Sequence, residues 1–214
     1  MTKGKLAKFA ELTTFSNALQ KEDTHSDDWL KSCFPKGNEI TLELACGKGS
    51  YTIQMAQLYP DRNFIGIDRK GDRLWRGAKT AQELNLTNAI FIRNRVENLT
   101  ELFRHNEVSE IWITFPDPYI KRRTAKRRLT SPMFLNLYRK VLKKGGLVHL
   151  KTDEINLFRF TEKTLAEENC IIQERIDDLY ANPIENEQLA IQTDYEKSHL
   201  SEGRTIRYLC FSFS

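Results

Sequence analysis

Ile40-Thr-Leu-Glu-Leu-Ala-Cys-Gly-Lys-Gly-Ser50 is the stretch that decides the fold of this 214-residue chain. Ile40 to Ala45 is a short apolar run of strand length, closed by a glycine-containing turn. Gly47 and Gly49 allow the backbone to turn tightly and to approach a ligand closely. Ser50 is placed to N-cap a helix with Tyr51, Met55 and Leu58 on one face, stopped by Pro60. Phe64-Ile-Gly-Ile-Asp68 is a second strand, and it ends in a carboxylate 19 residues after Gly49. A carboxylate at that point can accept hydrogen bonds from both hydroxyls of a ribose.

The same alternation continues outward. A helix over roughly 70–85 is followed by a third strand, Ala89-Ile-Phe-Ile92, and a helix over 97–105. Ile111-Trp-Ile-Thr-Phe115 is a fourth strand. Ser131-Pro132 is an N-cap and first-turn pair that opens a helix closed by Gly145-Gly146. Leu147-Val-His-Leu150 is a fifth strand, with Asp153 capping the helix after it. Residues 170–176 and 206–213 read as two more. The rhythm predicts βαβ units in a mostly parallel, seven-stranded α/β sheet with helices on both faces. Residues 1–39 are polar and are expected to form an extension outside the sheet, leaving residues 40–214 as the single domain.

In such sheets ligands bind beyond the carboxyl ends of the strands, and those ends carry unusual residues. A dinucleotide fingerprint needs a third glycine where this chain has Thr52. Glu43, inside the strand before the turn, would also repel a pyrophosphate. It suits a cationic nucleoside, and S-adenosylmethionine, with its ammonium, sulfonium and ribose, is such a ligand. Asn94, just after the third strand, can bind an adenine edge through its amide.

The fourth strand runs into Phe115-Pro-Asp-Pro-Tyr119. Two prolines around Asp117 remove two N–H donors and stiffen the backbone, which suits aiming a carboxylate and a ring. Lys121-Arg-Arg-Thr-Ala-Lys-Arg-Arg128 follows at once, with six cations in eight residues. The chain's net charge is +4, and without those six it becomes −2. A mildly acidic body with one dense basic cluster excludes a uniformly basic coat and points to a localised polyanion contact. A phosphate backbone would neutralise Arg122, Arg123, Lys126, Arg127 and Arg128 and release counterions. Tyr119 is placed to stack on an extruded base.

The four cysteines (33, 46, 170 and 210) form no Cys-x-x-Cys pair, and the four histidines (25, 105, 149 and 199) are isolated. That spacing predicts a reduced compartment and no metal site. No apolar run approaches membrane-spanning length and the N-terminus lacks a signal-peptide core, so the expected location is the cytoplasm.

Together these residues resemble the bacterial tRNA (guanine-N7)-methyltransferases, class I enzymes with a Rossmann-like fold that use S-adenosylmethionine. The resemblance spans about residues 40–210. Most specific is Ile113-Thr-Phe-Pro-Asp-Pro-Tyr-Ile-Lys-Arg-Arg-Thr-Ala-Lys-Arg-Arg-Leu129, similar to the family's FPDPW-x-K-x-RH-x-KRR stretch. Leu150-Lys-Thr-Asp153 and Thr193-Asp-Tyr-Glu196 are similar to two later family motifs. The resemblance implies methyl transfer to N7 of a guanosine in the tRNA variable loop, S-adenosyl-L-homocysteine as product, and no DNA or membrane partner. It assigns Glu43, Gly47, Gly49, Asp68, Asn94 and Asp117 to the cofactor, and makes Asp117 the catalytic residue. Lys121, Asp153, Thr193, Asp194, Tyr195 and Glu196 would contact the substrate. Tyr119 replaces the family's Trp, Thr124 its His, Asn94 a common Asp and Ala45 a common Gly.

Two other readings remain open at this point. A nucleic-acid amino-group methyltransferase carries an Asp/Asn-Pro-Pro-aromatic motif at the same strand end, but Asp117-Pro118-Tyr119 lacks the second Pro. A non-enzymatic RNA-binding protein on the same fold would not bind S-adenosylmethionine.

Overall fold

The computed structural model describes residues 3–24 and 28–214. His25 lies outside the described residues. The chain divides into two compact units, Met1–Leu102 and Phe103–Ser214.

The first unit begins with α1 (Lys3–Leu12), β1 (Ala18–Leu19) and α2 (Trp29–Cys33). Then come β2 (Ile40–Leu44), α3 (Ser50–Leu58), β3 (Asn63–Asp68), α4 (Gly71–Glu83), β4 (Ala89–Arg93) and α5 (Leu99–Leu102). Its strands lie in the order β1-β4-β3-β2, and every pair is parallel. All residues of β2 and β3 are buried, which accounts for their mostly apolar composition. Phe91 of β4 fills a slot that exists because three neighbours lack side chains. A Cβ on Gly49, Gly66 or Gly77 would come within 2.2, 3.0 or 2.8 Å of its ring.

The second unit contains β5 (Val108–Thr114), α6 (Pro132–Val141), β6 (Leu142–Thr152), α7 (Ile155–Glu167) and β7 (Cys170–Ile176). It ends with α8 (Glu187–Ala190), α9 (Asp194–Ser201) and β8 (Arg207–Phe213). The strand order is β5-β6-β8-β7, with β5 and β6 parallel and β8 antiparallel to both neighbours. In its core Trp112 stacks on His149 at 4.0 Å, and His149 Nδ1 shares a 2.8 Å hydrogen bond with the Tyr208 hydroxyl.

Several expectations are corrected. Among the described residues there are eight strands, not seven, because Ala18–Leu19 pairs with Phe91–Ile92. That pairing places residues 18–19 in the sheet rather than outside it. Two residues are too few to show the alternation that marks a strand in sequence. Gly145-Gly146 lies inside β6, and the helix before it ends at Val141. The helix predicted over 97–105 is a 3₁₀ turn, Val96–Asn98, running into the one-turn α5. Ser50 is the first helical residue of α3, and Gly49, with φ +66°, is the N-cap. Ser131 occupies the N-cap position of α6, with Pro132 in its first turn, but its hydroxyl donates to Lys126 O at 3.0 Å instead of capping the helix.

Candidate active site

In the first unit the turn after β2 has positive φ at Ala45 (55°), Gly47 (59°) and Gly49 (66°). Asp68, at the end of β3, secures it. One carboxylate oxygen accepts from Gly47 N at 2.9 Å and the other from Lys70 N at 2.8 Å. The sequence-predicted Gly47 and Asp68 are therefore in direct contact. Nothing lies within 4 Å of where a Cβ on Gly47 would sit, so the backbone there is open to close approach.

Glu43 is 4% exposed, and its Oε2 accepts from both the backbone N–H (2.9 Å) and the hydroxyl of Thr52. A carboxylate at a helix N-terminus meets unpaired amides and the positive end of the helix dipole. Thr52 stands where a dinucleotide fingerprint would have its third glycine, and here it anchors α3 to β2. That role is invisible in the spacing alone. Burial, then the charges of Glu43 and Asp68, push the Cys46 thiol well above its ordinary pKa, so it stays protonated.

Asn94, 7% exposed, accepts at Oδ1 from Arg95 N (2.8 Å) and from the Asn98 side chain (2.9 Å). Two donors aimed at one atom identify it as the oxygen. Its Nδ2 is buried with no partner. Such a donor costs about 1–3 kcal/mol unless a ligand satisfies it. An adenine ring nitrogen is an acceptor of the right kind. The orphaned amide, the open positive-φ turn and the Asp68 carboxylate together fit an adenosine cofactor.

In the second unit β5 delivers the Phe115–Tyr119 loop. Phe115 (φ 48°) and Tyr119 (φ 43°) frame it in the left-handed region, where non-glycine residues are strained. Asp117 between them is exposed and makes no hydrogen bond or ion pair among the described residues. Arg128 holds the loop: its Nε donates to Pro118 O at 2.9 Å, and its Nη2 to Tyr119 O at 3.1 Å and Ile120 O at 3.5 Å. Its guanidinium sits over the Phe160 ring at 4.3 Å. Burial lowers the Arg128 pKa from the ordinary arginine value, against the pull of Glu154.

Arg128 is thus removed from the predicted phosphate contacts, because it is 7% exposed and spends its donors on backbone carbonyls. Lys121, Arg122, Arg123, Lys126 and Arg127 are exposed on and beside a 3₁₀ turn, Arg122–Arg127. The Thr124 hydroxyl donates to Lys121 O at 2.8 Å, bracing that turn where the family carries His.

Asp153 does not cap α7. Glu154 does, accepting from Asn156 N. The Asp153 carboxylate instead pairs with Arg204 at 2.9 Å and His199 at 3.3 Å. Thr193 N-caps α9, accepting from Glu196 N at 3.1 Å. Glu196 is fully buried against Lys151 Nζ at 2.7 Å and the Tyr180 hydroxyl at 2.8 Å. Lys151 also donates to Leu189 O and Ile191 O. Its pKa is lowered by burial and raised in turn by Glu196. Glu196 therefore cannot be an open substrate contact, and it ties α9 to β6. Asp194 and Tyr195 remain exposed. Sequence reasoning missed Lys151, Tyr180, His199 and Arg204. Of these only Lys151 left a signal, as a charge inside a buried strand.

Comparisons with known proteins agree with this architecture. The 16S rRNA methyltransferase KamB aligns with a TM-score of 0.67 at 17% identity, covering 88% of this chain and 94% of its own. A 30S ribosomal A1408 methyltransferase from an uncultured bacterium aligns with a TM-score of 0.63 at 19% identity. The fold is that of the Rossmann-like class I methyltransferases. The family model described as "Putative methyltransferase" matches residues 37–209. A tRNA (guanine-N(7)-)-methyltransferase of Christiangramia forsetii is 44% identical, with 98% of each chain covered. One from Porphyromonas gingivalis is 46% identical over 86% of this chain and 75% of that protein. The chain belongs to this methyltransferase family. Among the described residues no helix is long and apolar enough to cross a membrane.

Proposed function

We propose that the protein transfers a methyl group from S-adenosylmethionine to N7 of a guanosine in the variable loop of tRNA, in the cytoplasm and without a metal. The observation that carries this reading is Asp117, an exposed and unpartnered carboxylate on a strained, clamped loop that leads directly into five exposed cations. The name shared by relatives at 44 and 46% identity supports it.

Gly47, Gly49, Asp68 and Asn94 would hold the cofactor, Asp68 through the ribose hydroxyls and Asn94 through the adenine edge. Glu43 would set the position of the turn through Thr52, and its charge favours a cationic ligand. When bound, S-adenosylmethionine supplies an electrophilic methyl group. Guanine N7 already carries a free lone pair, so no proton must leave first. The protein's task is then positioning and electrostatics.

N7 and O6 are acceptors on one edge of guanine, whereas N1–H and N2–H are donors on another. Asp117 would orient the base through those donors and balance the positive charge that develops on the ring. Asp153 would offer a second acceptor, released from Arg204 or His199 by competition. Lys121, Asp194 and Tyr195 would complete the guanosine contacts, with Thr193 and Glu196 fixing the segment that bears them. Arg122, Arg123, Lys126 and Arg127 would meet phosphates. Residues 40–214 make up the domain in this reading.

The test is incubation with unmodified tRNA and methyl-labelled cofactor, followed by digestion and mass spectrometry of the nucleosides. The expected product is 7-methylguanosine. Methylation of an exocyclic amine, or no cofactor binding by calorimetry, would overturn the reading.

A further inference from the structure

The sequence concentrates positive charge in residues 121–128, but the structure assembles a second basic surface. Phe9 of α1 seats its ring against α4 where Gly71 has no side chain: a Cβ there would lie 2.6 Å from the ring. α1 packs along α4 from that point. The contact gathers cations around one indole. Lys8, Lys79 and Arg76 lie 4.7, 5.0 and 5.5 Å from the centre of the Trp75 ring. Arg93 lies 4.6 Å over Phe9.

Acidic compensation is thin. Glu11 accepts from Trp75 Nε1 at 2.9 Å and pairs with Lys79 at 3.4 Å, and Asp72 pairs with Lys5 at 3.4 Å. Lys8 and Arg76 are exposed and have no acidic partner among the described residues. Residues 4–12 and 69–79 together carry seven Lys or Arg against these two acids. Cations held this closely repel one another, and a polyanion relieves that repulsion and gains counterion entropy.

We infer that this α1–α4 surface is a second contact for the phosphate backbone of the RNA substrate, in addition to residues 121–127. The inference rests on the proposed tRNA substrate, which bears one phosphate per nucleotide and is far larger than one catalytic loop. An anionic membrane is disfavoured as the occupant. A membrane-surface helix needs a free apolar face, whereas Phe9 and the buried Leu12 are already used, leaving Leu6 exposed alone.

The test compares wild type with Lys8→Gln/Arg76→Gln, and with Lys8→Gln alone in case the double variant does not fold. Affinity for an unmodified tRNA transcript is measured across a salt series, beside S-adenosylmethionine affinity and binding to anionic phospholipid vesicles. Losing two phosphate contacts should reduce the slope of log K against log salt by about 1.4–1.8 and weaken binding about 20-fold at 0.15 M salt. The single variant should show about half that change in slope. Cofactor affinity should not move.

An unchanged slope in the variants overturns the inference, as does vesicle binding that the substitutions abolish while tRNA binding stays intact. If wild type methylates tRNA and the slopes are unchanged, the surface proposal fails alone. If wild type binds tRNA with variant-sensitive slope but forms no 7-methylguanosine, the functional reading fails alone. If wild type does not bind tRNA, both fail.

Discussion

Replacing Arg128 by methionine removes a side chain whose two best hydrogen bonds, at 2.9 and 3.1 Å, hold the carbonyls of Pro118 and Tyr119. Charge-assisted bonds of this kind contribute about 1.5–3 kcal/mol each, so the pair is worth about 3–6 kcal/mol. Against it stand two non-glycine residues at positive φ, Phe115 and Tyr119, which cost about 1–3 kcal/mol each, or about 2–6 together. The two sums are comparable, so without the guanidinium the loop has no net reason to keep its strained form. Relaxation would leave Asp117 displaced rather than missing. A displacement of about 1 Å near reacting groups costs on the order of 10²-fold in rate. Arg128→Met should therefore lower kcat/KM on tRNA about 100-fold. With relaxation recovering part of the strain, a net loss of about 3 kcal/mol would lower the thermal midpoint by about 6–12 °C. Arg128→Lys keeps the charge and one bond and should fall between. Cofactor affinity, which in the proposed function rests mainly on Asp68 and Asn94, should change less than threefold. A kcat/KM within threefold of wild type, despite a lowered midpoint, would refute the clamp. A slope of binding against salt reduced by about 0.7–0.9 with kcat intact would show that Arg128 is a phosphate contact after all.

Glu196→Gln leaves the Lys151 ammonium buried without its charge partner, which should cost about 3–5 kcal/mol in chemical denaturation. A raised KM with unchanged stability would instead make Glu196 a substrate contact. Gly49→Ala places a methyl 2.2 Å from Phe91 at φ +66°, so strain and overpacking together should cost about 2–6 kcal/mol. Gly47→Ala meets no atom within 4 Å and should cost only about 1–2 kcal/mol of backbone strain in the same assay. Equal losses for the two would contradict the Phe91 slot. Burial and then Glu196 raise the Tyr180 pKa above that of a free phenol, and burial pushes the Cys210 thiol up to about 11. Between the unfolded and folded values the folded chain holds more protons, so stability is full below the unfolded pKa and falls as pH rises through this range. The lowered Lys151 pKa works in the opposite sense. Comparing Tyr180→Phe with wild type from pH 9 to 11 isolates the tyrosine: the variant should lose stability less steeply, and identical slopes would remove it from the alkaline transition.

The parts of this fold that were legible in sequence are those with a local cause. Glycines at 47 and 49 supply the positive φ of the turn, and Asp68 at the end of the next strand accepts from the Gly47 amide. Pro132 starts a helix by its own fixed φ. Partner choice across the chain has no such local mark. Thr52 reads as a missing glycine until its hydroxyl is seen on Glu43. Arg128 reads as the last of six equivalent cations until its donors are counted onto three carbonyls. Gly145-Gly146 reads as a helix stop, yet the strand has already begun at Leu142.

The acidic residues show why a motif can be found without its roles being known. Glu43, Asp68, Asp117 and Asp153 read in sequence as carboxylates near strand ends and Glu196 as one in the segment before the last strand, and all five are candidate site residues there. Their surroundings differ. Glu43 and Glu196 are 4% and 0% exposed and receive donors from their own fold, one from a helix N-terminus and one from a buried lysine. A carboxylate in that state builds the frame, and removing it should be read first as lost stability. Asp153 is held by Arg204, with His199 beside it, and a ligand would have to compete for it. Asp68 shares its oxygens with two backbone amides. Asp117 alone of the five stands exposed with no partner among the described residues, on a loop whose strain is balanced by a neighbour's guanidinium. A free acceptor held rigidly has low reorganisation cost when a donor-bearing base arrives. The physical distinction between framing and reacting carboxylates thus lies in who already donates to them.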